Sequence, residues 1–216
     1  MMDMLMSTPN YNASLLAMAT AALNALDSSH AGAAHATEAQ QSHFLCNWMA
    51  QALKDKSFDK AIAGELTLWV RQGRSMGSSA QLKRLLQTIR HQYSTLAEHT
   101  MGLGNALAKM LEDARQQDVI VYTDTPVKTK LKLDADGQSS IIVCADEYQQ
   151  HIRDGELIKP ISLFVRADEK FLAKLAFSHG LMLTQGDKKS SLIKHHKSYK
   201  LFPKNQLPSL ALLTFH

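Results

Sequence analysis

Cysteine is scarce: Cys46 and Cys144 are the only two in 216 residues. Two thiols this far apart make neither a disulfide framework nor a Cys-x-x-Cys metal or redox pair. Both lie in apolar runs, Phe44-Leu45-Cys46 and Ile141-Ile142-Val143-Cys144, and read as buried free thiols. A reducing, cytoplasmic compartment fits. Basic residues are missing from the beginning, with no Lys or Arg before Lys54. The apolar run Leu15–Leu23 therefore lacks the charged flank of a signal peptide, although Ala34-His35-Ala36 resembles a cleavage box. The run is also shorter than the roughly 20 residues that cross a bilayer. It is read as the first helix of a soluble domain, with no membrane partner. Met1 to Leu5 have little structural logic, so Met6 competes with Met1 as the true start.

What is present is ordinary for a globular chain: 45% hydrophobic and 20% charged residues. That composition excludes disordered and collagen-like classes. The length suits one or two domains. Lys and Arg number 24 and Asp and Glu 20, giving a net charge of +4 and a pI near 9.0. Residues 1–118 hold ten basic and ten acidic residues, whereas 119–216 hold 14 and ten. The stretch Asp187 to Lys204 alone carries six lysines against one acid.

Apolar periodicity predicts helices over the first part of the chain. The first runs from about Asn10 to Leu26, with Leu15, Met18, Ala22, Leu23 and Leu26 on one face. A second begins near Thr37 and ends about Lys56. A third runs from Ser57 to Gly73. The connection Arg71-Gln72-Gly73-Arg74-Ser75-Met76-Gly77 reads as a basic turn, after which Ser78 or Ser79 caps a fourth helix to Tyr93. Thr95 and Glu98 have capping-box spacing for a fifth, weakened by Gly102 and Gly104.

The period changes at Val119. Lys128, Lys130 and Lys132 alternate with Thr129, Leu131 and Leu133, Asp134 to Gly137 signals a turn, and Ser140 to Cys144 reads as the return strand of a hairpin. Asp146 to Arg153 is predicted as a short helix. Ile161–Val165, a helix from Glu169 to His179 capped by Asp168, and Leu181–Thr184 form a strand-helix-strand unit in which a parallel pair is expected. Ser190 to Leu201 is a further basic strand. The expected fold is α+β: an all-helical N-terminal half of about five helices (1–118) packed against a small mixed α/β C-terminal half (119–216).

Several stretches resemble an uncharacterised bacterial family, domain of unknown function 2913. The residues are Asn10-Tyr11-Asn12 before Leu15-Leu16, Phe44-Leu45 with Trp48, Lys56-Ser57-Phe58, Val70-Arg71-Gln72-Gly73-Arg74, Leu82-Lys83 with Leu85, and Pro160 to Arg166. The resemblance covers most of the chain. It implies a bacterial origin and transfers no activity.

Chemistry-bearing motifs are few. No histidines stand four apart on one helix, and the cysteines complete no ligand set, so no metal and no cofactor is expected. Asp134-Ala135-Asp136-Gly137 begins like a calcium loop but has Ala145 where the twelfth position needs Glu. No Gly-x-Ser-x-Gly, His-Glu-x-x-His or Walker loop occurs, and no catalytic residue is assigned. Three basic features remain. The Arg71–Gly77 turn with Lys83 and Arg84 loosely suits a helix-turn-helix, with Ser78, Ser79 and Gln81 toward nucleic acid; the alternative is a helical hairpin with a solvated basic face. Lys128, Lys130 and Lys132 contact phosphate or guard a sheet edge. Lys188, Lys189, Lys194, Lys197, Lys200 and Lys204, with Tyr199 interleaved, form either a phosphate- and base-binding patch or a solubilising hairpin.

The expectation is a non-enzymatic binding or regulatory protein with nucleic acid as candidate ligand. The alternative is a protein-interaction or homo-oligomeric module, docking through the apolar tail Leu210 to Phe215.

Overall fold

The computed structural model describes residues 11–97, 101–130, 137–186 and 192–215. Residues Lys132, Asp134, Asp136, Lys188 and Lys189, and with them the calcium-like turn, lie outside that set. The chain divides into two units, Met1–Thr95 with Phe215, and Leu96–Thr214 with His216. No helix among the described residues is long and apolar enough to cross a membrane.

In the first unit, α1 (Tyr11–Asp27) buries Leu15, Met18, Ala19, Ala22, Leu23 and Leu26, the stripe its period predicts. Tyr11 donates to Glu65 Oε1 at 2.7 Å. Burial, and then this carboxylate, push the phenol far above its ordinary range. The second helix, α2 (Glu38–Lys54), starts at a capping box in which Thr37 Oγ1 accepts from Gln40 N and Gln40 Oε1 accepts from Thr37 N.

The third helix departs from expectation at both ends. Ser57 is not its start: a 3₁₀ turn, Lys60–Ile62, is capped by Asp59 and followed by α3 (Ala63–Met76). The stretch Arg71 to Met76, expected as a turn, is helical. Gly73 is buried inside it, and a Cβ there would lie 2.9 Å from Leu82 Cδ1 and 3.0 Å from Cys46 Sγ. This glycine serves close packing rather than chain reversal. The reversal comes later, at Gly77 (φ 58) and Gln81 (φ 49). Ser78 and Ser79, expected as caps, sit in the intervening 3₁₀ turn, Gly77–Ala80. The fourth helix, α4 (Leu82–Ala97), buries Leu82, Leu86 and Ile89. Thr95 lies inside it, so the predicted capping box does not start a helix.

In the second unit, α5 (Leu103–Gln116) begins at Gly102 instead. Its glycines do more than weaken it. A Cβ on Gly104 would stand 2.6 Å from Ile152 Cγ2, and Asn105 N–H donates to Gly155 O at 3.1 Å. The backbone of α5 thus lies against a small hairpin, β3 (Ile152–Arg153) and β4 (Glu156–Leu157). Asp154 and Gly155 turn it with φ of 49 and 78, as a two-residue Asp-Gly hairpin requires. The preceding helix, α6 (Ala145–Gln150), is correspondingly shorter than predicted.

The main sheet has strand order β1-β2-β5-β7-β6. β1 (Ile120–Tyr122) runs parallel to β2 (Ser140–Val143), whose other edge pairs antiparallel with β5 (Ile161–Arg166). Both edges of Ser140–Ile142 are occupied, which leaves no place for the predicted hairpin partner. Lys128, Thr129 and Lys130 are accordingly not strand, and Lys128 pairs with Asp146 at 3.2 Å. After β5, α7 (Glu169–Ser178) leads to β6 (Leu183–Gln185). These two strands run in the same direction, but β7 (Lys197–Leu201) is inserted antiparallel between them. The expected parallel neighbours form a split unit instead.

One sheet face, with Ile141, Leu163, Val165, Tyr199 and Leu201, packs on Leu107, Met110 and Leu111 of α5 and Leu172 of α7. The other carries Ile142, Cys144 and Phe164 under Val127 and Ile193. Both cysteines are free and buried. The apolar tail is used within the chain: Ala211 bridges Thr184, and Leu212 N–H donates to Leu183 O at 2.8 Å.

Candidate nucleic-acid interface

Among its described residues, the predicted C-terminal basic stretch does not present one face. β7 alternates, so Lys197 and Tyr199 point to the side covered by α7, and Lys200 to the other. Lys197 Nζ lies 2.9 Å from Glu169 Oε2, and Tyr199 donates to the same oxygen at 3.1 Å. Tyr199 is 1% exposed. Burial, and then the Glu169 charge, raise its phenol well above the ordinary range. It is a core residue and offers no ring to an incoming base, which corrects the sequence reading. Lys194 and Lys204 are exposed, the latter within a 3₁₀ turn (Pro203–Asn205).

A polar pair lies on the opposite face of the sheet. Ser140 pairs with Arg166 from one side, and His196, one residue before the β7 ladder, comes level with Arg166 from the other. His196 Nδ1 is 2.9 Å from Lys194 O and Nε2 is 2.9 Å from Ser140 Oγ. A carbonyl can only accept, so Nδ1 carries the proton and Nε2 accepts from the serine. The spacing is that of a nucleophile and its base. Ser140, however, is 0% exposed, so no substrate carbonyl reaches it. Burial lowers the His196 pKa, the Lys194 carbonyl opposes this, and Arg166 and His195 lower it further. Among the described residues no group of three His, Cys, Asp or Glu side chains is placed to hold a metal.

The helical unit holds the other predicted residues. Arg71 and Arg74 are exposed near the C-terminal end of α3. Lys83 and Arg84 stand in the first turn of α4. Arg71, Arg74 and Lys83 form no ion pair with another described residue. The sequence contains a signal for this region that a count over residues 1–118 averages away. Between Glu65 and Glu98 there is no acid, while Arg71, Arg74, Lys83, Arg84 and Arg90 all fall within that interval.

Two depressions accompany these side chains. A polar cleft of about 430 Å³ is lined by Gln81, Lys83, Arg84 and Gln87 on one side and by Glu38 and Gln41 of α2 on the other. Its wall is held in place because Ser42 Oγ of α2 donates to Gly77 O at 2.7 Å. A shallower furrow between α2 and α3 has Arg71, Arg74 and Thr67 above Ala50, Leu53 and Val70. Arg84 Cζ lies 5.7 Å from the ring centroid of Phe215, which belongs to this unit and is half exposed. The connection from α3 to α4, Gly77 to Gln81, is one to two residues longer than the usual helix-turn-helix turn of about 3–4 residues.

No curated protein and no solved structure matches the chain. The family described as Protein of unknown function (DUF2913) matches over residues 10–214. That span takes in both units, and the chain belongs to the DUF2913 family.

Proposed function

We propose that this protein is a non-enzymatic binding or regulatory protein of the cytoplasm whose ligand is nucleic acid. Arg71, Arg74, Lys83 and Arg84 meet its phosphates. The observation that carries this reading is the acid-free interval from Glu65 to Glu98, with Arg71 and Arg74 exposed on α3 and, in the first turn of α4, Arg84 exposed and Lys83 half-buried. Phosphate contacts of this kind supply sequence-independent affinity and make it salt-dependent. The first turn of the second helix is also where helix-turn-helix proteins reach bases. Lys194, Lys200 and Lys204 add positive charge on the other unit. Two buried free thiols support a reducing compartment. The apolar tail supports the oligomeric alternative less, because Ala211 and Leu212 already bond to β6.

The test is titration of full-length protein into labelled DNA and RNA oligonucleotides at low salt. Binding that weakens about tenfold or more in an Arg71→Glu, Arg74→Glu, Lys83→Glu, Arg84→Glu variant is expected. No binding to either nucleic acid overturns the reading.

A further inference from the structure

We infer that the polar cleft between α2 and α4 seats one unstacked nucleotide of a single strand, a conclusion that rests on the nucleic-acid reading above. Size is the first argument. A cleft of about 430 Å³ lies in the range of small-ligand sites, about 300–1,000 Å³. A base in a duplex is stacked and paired, so it cannot enter; a nucleotide from a loop or a free end can.

The lining is the second argument. A site for bare phosphate needs only donors and positive charge. This cleft has both, in Lys83 and Arg84, but it also carries the Glu38 carboxylate and the amides of Gln41, Gln81 and Gln87. A carboxylate repels phosphate and accepts from amino or imino groups. Each glutamine offers a donor and an acceptor together, the combination that matches a base edge. The ligand that uses every one of these groups has an anionic end and a hydrogen-bonding heterocycle. The glutamine side chains make no hydrogen bond to another described residue, so their capacity is uncommitted.

Preorganisation is the third argument. The turn that presents Gln81 and Lys83 is tied to α2 by Ser42 and set by the left-handed conformations of Gly77 and Gln81. Gly73 lets Leu82 and Cys46 close in beneath it. Two walls fixed in this way lose little entropy when a ligand enters.

The experiment compares three labelled probes by fluorescence anisotropy with the full-length protein: a single strand, the matching duplex, and a single strand of equal length with abasic positions. The single strand is expected to bind about tenfold or more tightly than either of the others, since a paired base edge or a missing base forfeits the cleft. In a Gln41→Ala, Gln87→Ala variant, both changes on exposed or half-exposed helix positions, that advantage disappears while duplex affinity is unchanged. Equal affinity for all three probes overturns the inference and leaves the nucleic-acid reading standing. A preference for the single strand that survives the double variant also overturns it, because the bases are then read elsewhere. Binding to none of the probes overturns the reading on which it rests.

Discussion

Tyr199 and Glu169 are joined across β7 and α7 by a hydrogen bond of 3.1 Å, to the oxygen that also receives Lys197 at 2.9 Å. One carboxylate therefore withdraws an aromatic ring and a lysine from the stretch that looked most like a ligand-binding strip. Replacing Tyr199 by Phe removes the hydroxyl and keeps the ring in its core. The variant is expected to lose about 1 kcal/mol of stability, read by urea denaturation, with no change in oligonucleotide affinity. A weaker affinity at unchanged stability would place Tyr199 in the interface after all.

Two glycines of α3 are expected to respond with opposite signs. Gly64 has open space where a Cβ would go, so Gly64→Ala should stabilise by up to about 1 kcal/mol through helix propensity. At Gly73 the added carbon meets Leu82 at 2.9 Å and Cys46 at 3.0 Å. Overpacking of a filled core costs about 1–3 kcal/mol, which outweighs the same propensity gain. Urea midpoints of the two variants check this. Equal stabilisation by both would show that α2, α3 and α4 do not meet closely at Gly73.

The Ser140–His196 pair makes stability depend on pH. His196 is held neutral by burial, with Arg166 and His195 adding to the effect, so its folded pKa lies below the ordinary 6.5. The sign follows from linkage. Below about pH 6.5 the unfolded chain takes up a proton at this position that the folded chain refuses. Its stabilising contribution is complete above that pH and declines as pH falls toward the lowered value, by at most about 1.4 kcal/mol per pH unit. A His196→Gln variant should show a shallower decline than the parent over the same interval in urea melts. Parallel curves would mean that the imidazole titrates normally in the fold.

The helices were legible because each buries a stripe at helical period, and that signal is local: Leu15 to Leu26 on α1 and Leu82 to Ile89 on α4 needed no knowledge of their partners. Pairing between strands was not legible. Ile161–Arg166 and Leu183–Gln185 are both readable as strands, but nothing within them says that Lys197–Leu201 comes between. Lys128 to Lys130 lie in an alternation that reads as a strand, but both edges of β2 are taken by β1 and β5 and these three residues are not strand. Gly73 and Gly104 read as turn and weak helix in the sequence, because a sequence does not reveal which neighbour approaches a missing side chain. Arg71, Arg74, Lys83 and Arg84 are visible in the sequence as basic residues, but their clustering is masked by the overall balance. A charge balance over 118 residues dilutes a 32-residue interval that contains no acid.

The most direct test of the central claim is the salt dependence of single-strand affinity for the parent and for a Lys83→Glu, Arg84→Glu variant, both shown by circular dichroism to be folded. Each phosphate contact contributes a slope of about −0.7 in log K against log salt for single strands. The account predicts a steep parent slope that becomes shallower by about 1.4 when these two side chains are reversed. Identical slopes and affinities for the two proteins would contradict it.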